Sequence, residues 1–130
     1  MSATAIRTVA MLAALTATSA FAGNSTFQQT CSNIDFAYSG DKPAIEATCL
    51  RANGTPNKTS LILTGISNQN GKLTQGGGAS SFQESCGNIE ISVDISGAKL
   101  TAFCRTGSGS SEPTSLPLEN INNQNGNLAQ

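Results

Sequence analysis

The chain repeats itself once, at an offset of 55 residues with no gap, Phe27 returning as Phe82. Cys31, Asn33 and Ile34 return as Cys86, Asn88 and Ile89, and Cys49 returns as Cys104. Thr59-Ser60-Leu61 with Leu63 returns as Thr114-Ser115-Leu116 with Leu118. Ile66, Asn68, Gln69, Asn70, Gly71, Leu73 and Gln75 return as Ile121, Asn123, Gln124, Asn125, Gly126, Leu128 and Gln130. Two copies are too few for a solenoid, whose stacked units need about three repeats to bury a core. The repeat therefore predicts one closed, pseudosymmetric domain with two equivalent surfaces.

Residues 1–22 read as a removable leader. Arg7 is the only charge before Asp35, and the apolar run from Val9 to Leu15 follows it. Ala20-Phe21-Ala22 fits the small-x-small cleavage pattern, placing the cut after Ala22. The run is shorter than the roughly 20 apolar residues that span a bilayer. The competing reading is an N-terminal helix of a cytosolic protein. The leader reading predicts a released, extracellular protein comprising 23–130: repeat one 27–75, linker 76–81, repeat two 82–130.

Setting Arg7 aside, that stretch carries six basic and eight acidic residues, a net charge of −2. It has no Trp and no His. The absence of His excludes Ser-His-Asp and Cys-His catalysis. The negative balance, without a basic patch, argues against nucleic-acid binding.

Four cysteines in an exported chain read as two disulfides, and four allow three pairings. The repeat selects Cys31–Cys49 and Cys86–Cys104, because any cross-pairing breaks the equivalence of the copies. Each bridge closes a loop of 18 residues. In the chain-entropy model such a loop contributes about 3 kcal/mol. Metal ligation is disfavoured, since there is no CxxC pair and no His; no metal or cofactor is expected.

Ile45-Glu46-Ala47-Thr48-Cys49-Leu50 and Lys99-Leu100-Thr101-Ala102-Phe103-Cys104 alternate with the period of half-buried strands. Leu61/Leu63 and Leu116/Leu118 mark a second short strand in each copy. Pro117 has no ladder donor, which puts its strand at an edge or bulge. Asn70-Gly71 and Asn125-Gly126 are hairpin signals, because type I′ turns need positive φ at both central residues. Asn53-Gly54 marks another turn. Gln75 to Ser81, with three glycines, reads as a flexible hinge between the copies. Phe27–Thr30 and Phe82–Ser85 suit short helical turns. The expectation is a mostly β, antiparallel protein.

These residues, in this order and twice over, make the chain similar to the cyanovirin-N homology family. Each copy has Phe-x-x-(Thr/Ser)-Cys, a second Cys, Thr-Ser-Leu-x-Leu, and a closing Ile-x-Asn-x-Asn-Gly-x-Leu. The resemblance covers both copies. It implies an elongated β fold in which each half joins the first part of one repeat to the hairpin of the other. It also implies a metal-free lectin for mannose-rich oligosaccharides, particularly terminal α1-2-linked mannose, as monomer or domain-swapped dimer.

The resemblance implies two sugar sites. The stronger would use Asn68, Asn70, Ser80, Ser81, Glu84, Ser85, Arg105 and Thr106. The weaker would use Thr26, Gln29, Thr30, Arg51, Asn123 and Asn125. There Leu50 and Ala52 stand where polar side chains are typical, so this site is expected to bind poorly or not at all.

Each residue also has a plainer reading. The Asn-Gly pairs serve as turns whether or not they also present an amide. Glu84 fits a solvated carboxylate or a capping partner, and Arg105 a surface cation. Positions 106–115 read as a polar loop, and Phe27 and Phe82 as core rather than sugar-stacking platforms. Asn24, Asn53 and Asn57 head N-glycosylation sequons. Glycans at Asn24 or Asn53 would crowd the weaker site.

A glycosidase needs two carboxylates across the substrate, and only Glu84 lies in the candidate site, with Glu119 having to approach it. Binding without catalysis is therefore expected. The rival is a secreted interaction or structural protein on the same scaffold with lost or altered sugar specificity.

Overall fold

In a computed structural model describing residues 23–130, each copy opens with a single 3-10 turn, Phe27–Gln29 or Phe82–Glu84. The expected leader lies outside the described residues. The first turn leads into β1 (Cys31–Ser39), β2 (Lys42–Leu50) and β3 (Pro56–Ile62), then the hairpin β4 (Thr64–Gln69) and β5 (Lys72–Ala79). The second leads into β6 (Cys86–Asp94), β7 (Gly97–Arg105) and β8 (Ser111–Leu118), then the hairpin β9 (Asn122–Gln124) and β10 (Asn127–Ala129). The sheets run β1-β2-β3, β4-β5, β6-β7-β8 and β9-β10, all antiparallel.

Both hairpins close through the expected pairs. Asn70 and Gly71 have φ of 53° and 92°, and Asn125 and Gly126 have 52° and 91°. Gln69 faces Lys72 and Gln124 faces Asn127 across these two-residue loops. That is the geometry a right-twisted hairpin selects.

The repeats exchange their hairpins. Leu73 N donates to Thr114 Oγ1 at 3.1 Å, tying β5 to β8. Leu128 N donates to Thr59 Oγ1 at 3.2 Å, tying β10 to β3. One half of the molecule is thus continuous, 64–118. The other combines 23–63 with 119–130.

Two serine clasps, Ser25 buried and Ser80 half-buried, mark where the chain passes between halves. Ser25 Oγ donates to Leu118 O at 2.5 Å and accepts from Ile121 N at 3.1 Å. Ser80 Oγ donates to Leu63 O at 2.7 Å and accepts from Ile66 N at 3.0 Å. The hydroxyl satisfies one donor and one acceptor that the strand ladders leave unpaired there.

Phe27, Phe82, Ile45, Leu100, Ile66 and Ile121 are fully buried. They form one cluster shared by both halves. Phe36 of β1 meets Phe82 edge-to-face at 6.3 Å across the two halves. Phe27 and Phe82 are core, as expected. The disulfides are Cys31–Cys49 and Cys86–Cys104, each joining residues directly opposite in register. In this thin core each bridge adds a constraint worth about 3 kcal/mol.

Three local expectations change. Each copy has three strands before its hairpin, not two. β1 and β6 escape the alternation because bulges break their registers, between Ser32 and Asp35 and between Gly87 and Glu90. Asn33 and Asn88 sit in these bulges at φ 53° and 49°, which amide side chains tolerate. The polar stretch 106–115 is loop only to Ser110, since Ser111–Leu118 pairs with β7 at the sheet edge. Pro117 fits there because its missing N–H is not needed. The glycine-rich linker is strand up to Ala79, which pairs with Thr64. Ser81 N then donates to Ile66 O at 2.9 Å, so this stretch is tied at both ends.

Candidate functional site

The tip of the first hairpin rests on the chain just after β7. Asn68 Nδ2 donates to Ser85 Oγ and to Arg105 O, both at 2.9 Å. Asn68 Oδ1 accepts from Gly71 N at 2.7 Å, closing the turn. Asn70 Oδ1 accepts from Gly107 N at 2.7 Å. Gly71 packs so closely on Thr106 that a Cβ there would lie 2.8 Å from Thr106 Cγ2. Thr106 Oγ1 is held in its own loop by Ser108 and Ser110 hydroxyls at 2.9 and 2.8 Å.

The eight residues expected at the stronger site therefore divide by role. Glu84, Ser85 and Arg105 line one cleft of about 460 Å³, together with Asn88, Phe103 and Ser111. Among the described residues the Glu84 carboxylate and the Arg105 guanidinium have no side-chain partner, and both are exposed. Asn70 and Thr106 line a neighbouring cleft on the far side of the hairpin tip, with Lys72 and Glu112. Asn68 is the strut between them, its donors and its acceptor oxygen engaged internally. Ser80 is the half-buried clasp, and it lines a third cleft with Gln83 and Glu84. Ser81 is exposed beside it.

The weaker site repeats this frame with other side chains. Asn123 Nδ2 donates to Thr30 Oγ1 and Leu50 O, both at 2.9 Å, and Asn123 Oδ1 accepts from Gly126 N at 2.8 Å. Asn125 Oδ1 accepts from Ala52 N at 3.0 Å. Arg51 is drawn inward, donating to Asn57 Oδ1 at 2.8 Å, Pro56 O at 3.1 Å and Thr55 Oγ1 at 3.3 Å. Its Cγ would meet a Cβ on Gly126 at 2.8 Å, so it props the hairpin. Leu50 stands where Arg105 stands in the other half, and 48% of it is exposed. Gln29 stands where Glu84 stands. Thr26 and Gln29 are exposed at the 3-10 turn. This surface lacks the carboxylate–guanidinium pair.

The sequons differ in freedom. Asn57 spends its amide on Gly126 O at 2.8 Å and on Arg51. Asn53 is exposed, its oxygen accepting from Thr55 N and Thr55 Oγ1 at 3.0 and 2.7 Å. Asn24 is exposed and bridges to Glu119. That bridge places Glu119 against Asn24 at another cleft, with Ser92 and Lys99. Among the described residues no group of three His, Cys, Asp or Glu side chains converges on a metal position.

Comparison with known proteins agrees with this architecture. The CVNH domain model matches residues 27–129. The solved structure of TbCVNH from T. borchii is 30% identical, with a TM-score of 0.61, covering 80% of this chain and 97% of that one. Microvirin, solved as a mannobiose complex, is 29% identical, with a TM-score of 0.59 and coverage of 80% and 96%. A MoCVNH3 variant, solved with (N-GlcNAc)4, is 20% identical and shares the fold, with a TM-score of 0.60 and coverage of 82% and 99%. No curated protein sequence matches the chain.

Proposed function

The chain belongs to the CVNH domain family, and from that premise we propose that it is a secreted, metal-free lectin for mannose-rich oligosaccharides with terminal α1-2-linked mannose. The observation that carries the reading is the cleft where Glu84, Ser85 and Arg105 converge. A pyranose offers vicinal hydroxyls, each both donor and acceptor. The Glu84 carboxylate can accept from two of them, while Arg105 and Ser85 donate. A charged partner strengthens such bonds. The mannobiose bound by microvirin supports the class of ligand.

Net gain per hydrogen bond to a hydrated sugar is small, about 0.5–1.5 kcal/mol. A single site is therefore weak, and firm capture of a glycoprotein draws on multivalency. Glu84 is the one carboxylate among the residues lining that cleft, which supports a site that binds without cleaving. Export rests on the leader read in residues 1–22. Among the described residues no helix is long and apolar enough to cross a membrane.

A glycan array probed with oxidised 23–130 protein tests the proposal. Selective signal on oligomannose with exposed α1-2 ends is the expected result. The exposed Leu50 favours a second reading for the weaker site, as a surface without sugar affinity. A blank array from folded protein extends that reading to the whole molecule and turns the search to protein partners.

A further inference from the structure

Phe27 and Phe82 are fully buried, but Phe103 is 47% exposed. It stands on the outer face of β7 between Thr101 and Arg105, while Leu100, Ala102 and Cys104 point into the core. The register sets Gly87 of β6 on one side of it and Pro113 of β8 on the other. A Cβ on Gly87 would meet nothing within 4 Å, so that flank of the ring is open. Phe103 and Asn88 line two adjoining clefts. The first, about 460 Å³, holds Glu84 and Arg105. The second, about 480 Å³, holds Glu90, Thr101 and Ser115. The candidate sugar cleft thus continues along β7 past an aromatic ring.

We propose that this continuation is a second subsite, taking the pyranose that follows a disaccharide held in the Glu84–Arg105 cleft, with its C–H face on Phe103. The proposal rests on the Glu84–Arg105 cleft being a sugar site. A pyranose has an apolar C–H face and a rim of hydroxyls. The face needs an exposed apolar plane, which Phe103 supplies. The rim needs donors and acceptors, which Asn88, Thr101 and Ser115 supply. Residues two apart on a strand are about 7 Å apart, so the step from Arg105 to Phe103 suits one sugar unit.

Other ligands fit less well. A stable protein interface needs roughly 1,000 Å² with an apolar centre, far more than one ring. A polyanion would meet Glu84 and Glu90. The groove also belongs to one half only. Thr48, Ser32 and Lys58 occupy the positions of Phe103, Gly87 and Pro113 in repeat one. Specificity for chain length is therefore built into the second half alone.

The test is calorimetric titration of the 23–130 protein, which holds every core residue and both disulfides, with mannobiose and with a linear mannotriose. The wild type should bind the triose more tightly than the biose. Phe103→Thr, which installs the residue repeat one already carries there, should weaken the triose by more than the biose, because only the triose reaches past the ring. It should lose roughly three- to tenfold on the triose, the range that aromatic contacts carry. Gly87→Gln, which lays a polar side chain over the open flank, should do the same without touching the core, and decides the matter should Phe103→Thr misfold. Variants that bind the triose like wild type overturn the subsite and leave the primary cleft standing. A wild type that binds neither sugar overturns both.

Discussion

Asn68 holds Arg105 in place from 37 residues away, its Nδ2 donating to the Arg105 carbonyl at 2.9 Å. The same amide reaches Ser85 Oγ, and its oxygen closes the turn at Gly71. One side chain therefore docks the hairpin of repeat one onto repeat two. Asn68→Ala removes these bonds at a part-exposed site and should cost about 1–2 kcal/mol of stability. Asn123→Ala removes the equivalent set in the other half. Urea midpoints should fall by similar amounts in each, and the double variant should show their sum, because the sites share no partner. An unchanged midpoint for Asn68→Ala contradicts the strut role.

Glu84 is the opposite case. It is exposed, and no described side chain depends on it. Glu84→Gln keeps the shape and removes the charge, so unfolding should be unmoved while sugar affinity drops about tenfold, the loss of one charge-assisted bond. Titration with mannobiose reads this directly. Full affinity in Glu84→Gln would move the site to the Asn70–Thr106 side of the hairpin.

The weaker site can be rebuilt from the stronger one. Its backbone frame is already present, with Asn123 and Asn125 holding the hairpin as Asn68 and Asn70 do. It lacks a carboxylate, and its guanidinium, on Arg51, is turned inward onto Asn57. Gln29→Glu combined with Leu50→Arg places a carboxylate and a guanidinium at the positions of Glu84 and Arg105. In a Glu84→Gln background, the pair should restore measurable mannobiose binding, seen as backbone amide shifts at Thr30 and Ala52. Silence at those amides means that the frame differs between halves in a way the hydrogen bonds do not capture.

The turn between β6 and β7 carries a pH signature. Ser96 Oγ and N both donate to Asp94 Oδ1, at 2.6 and 2.8 Å. The hydroxyl is the larger cause holding the Asp94 carboxyl below its ordinary range. A carboxyl lowered in the folded state stabilises above its unfolded value and loses that contribution as pH falls through the folded one. Asp94 is fully exposed, so the effect on stability is slight. Ser96→Ala should move Asp94 upward toward the ordinary carboxylate range, measured by NMR titration of its side-chain carbonyl. No movement would assign the lowering to the backbone donors alone.

Much of this fold is legible in the sequence because the repeat doubles every weak signal. One Asn-Gly pair is a turn, but two at equal distance behind matched cysteines define hairpins and bridge pairing together. The 55-residue period hides the partner of each hairpin, since residues 55 apart are equivalent but do not touch. Asn68 meets Arg105 and Asn123 meets Leu50, contacts that tertiary packing alone decides. β1 and β6 stay hidden because positive-φ asparagines interrupt their alternation. The family resemblance placed Glu84 and Arg105 in the candidate site. It could not separate them from Asn68 and Ser80, because an amide or hydroxyl looks the same whether its bonds point inward or to a ligand. Phe103 was legible only as one position of an alternating strand, and its open flank depends on Gly87 and Pro113 in other strands.

Among the described glycines, Gly65, in the bulge between Thr64 and Ile66 of β4, leaves the least room for a Cβ. Its φ is +75°, and a Cβ there would lie 2.0 Å from Gly76 O and 2.8 Å from Gly76 C. Two penalties then combine. An Ala at positive φ costs about 1–2 kcal/mol. The collision is with main chain on β5, which cannot turn aside as a side chain would. Gly54 isolates the first penalty, since its φ is +87° and a Cβ there would meet nothing within 4 Å. Gly54→Ala should therefore cost about 1 kcal/mol, and Gly65→Ala should exceed it by at least as much again. Gly65→Asn tolerates the dihedral yet keeps the Cβ, so it should remain close to Gly65→Ala and not fall to the Gly54 level. Urea unfolding of the three variants separates the terms. Equal losses at Gly65 and Gly54 would show that β5 yields without cost, and that Gly76 to Gly78 is the soft hinge its composition suggests rather than a strand fixed against β4.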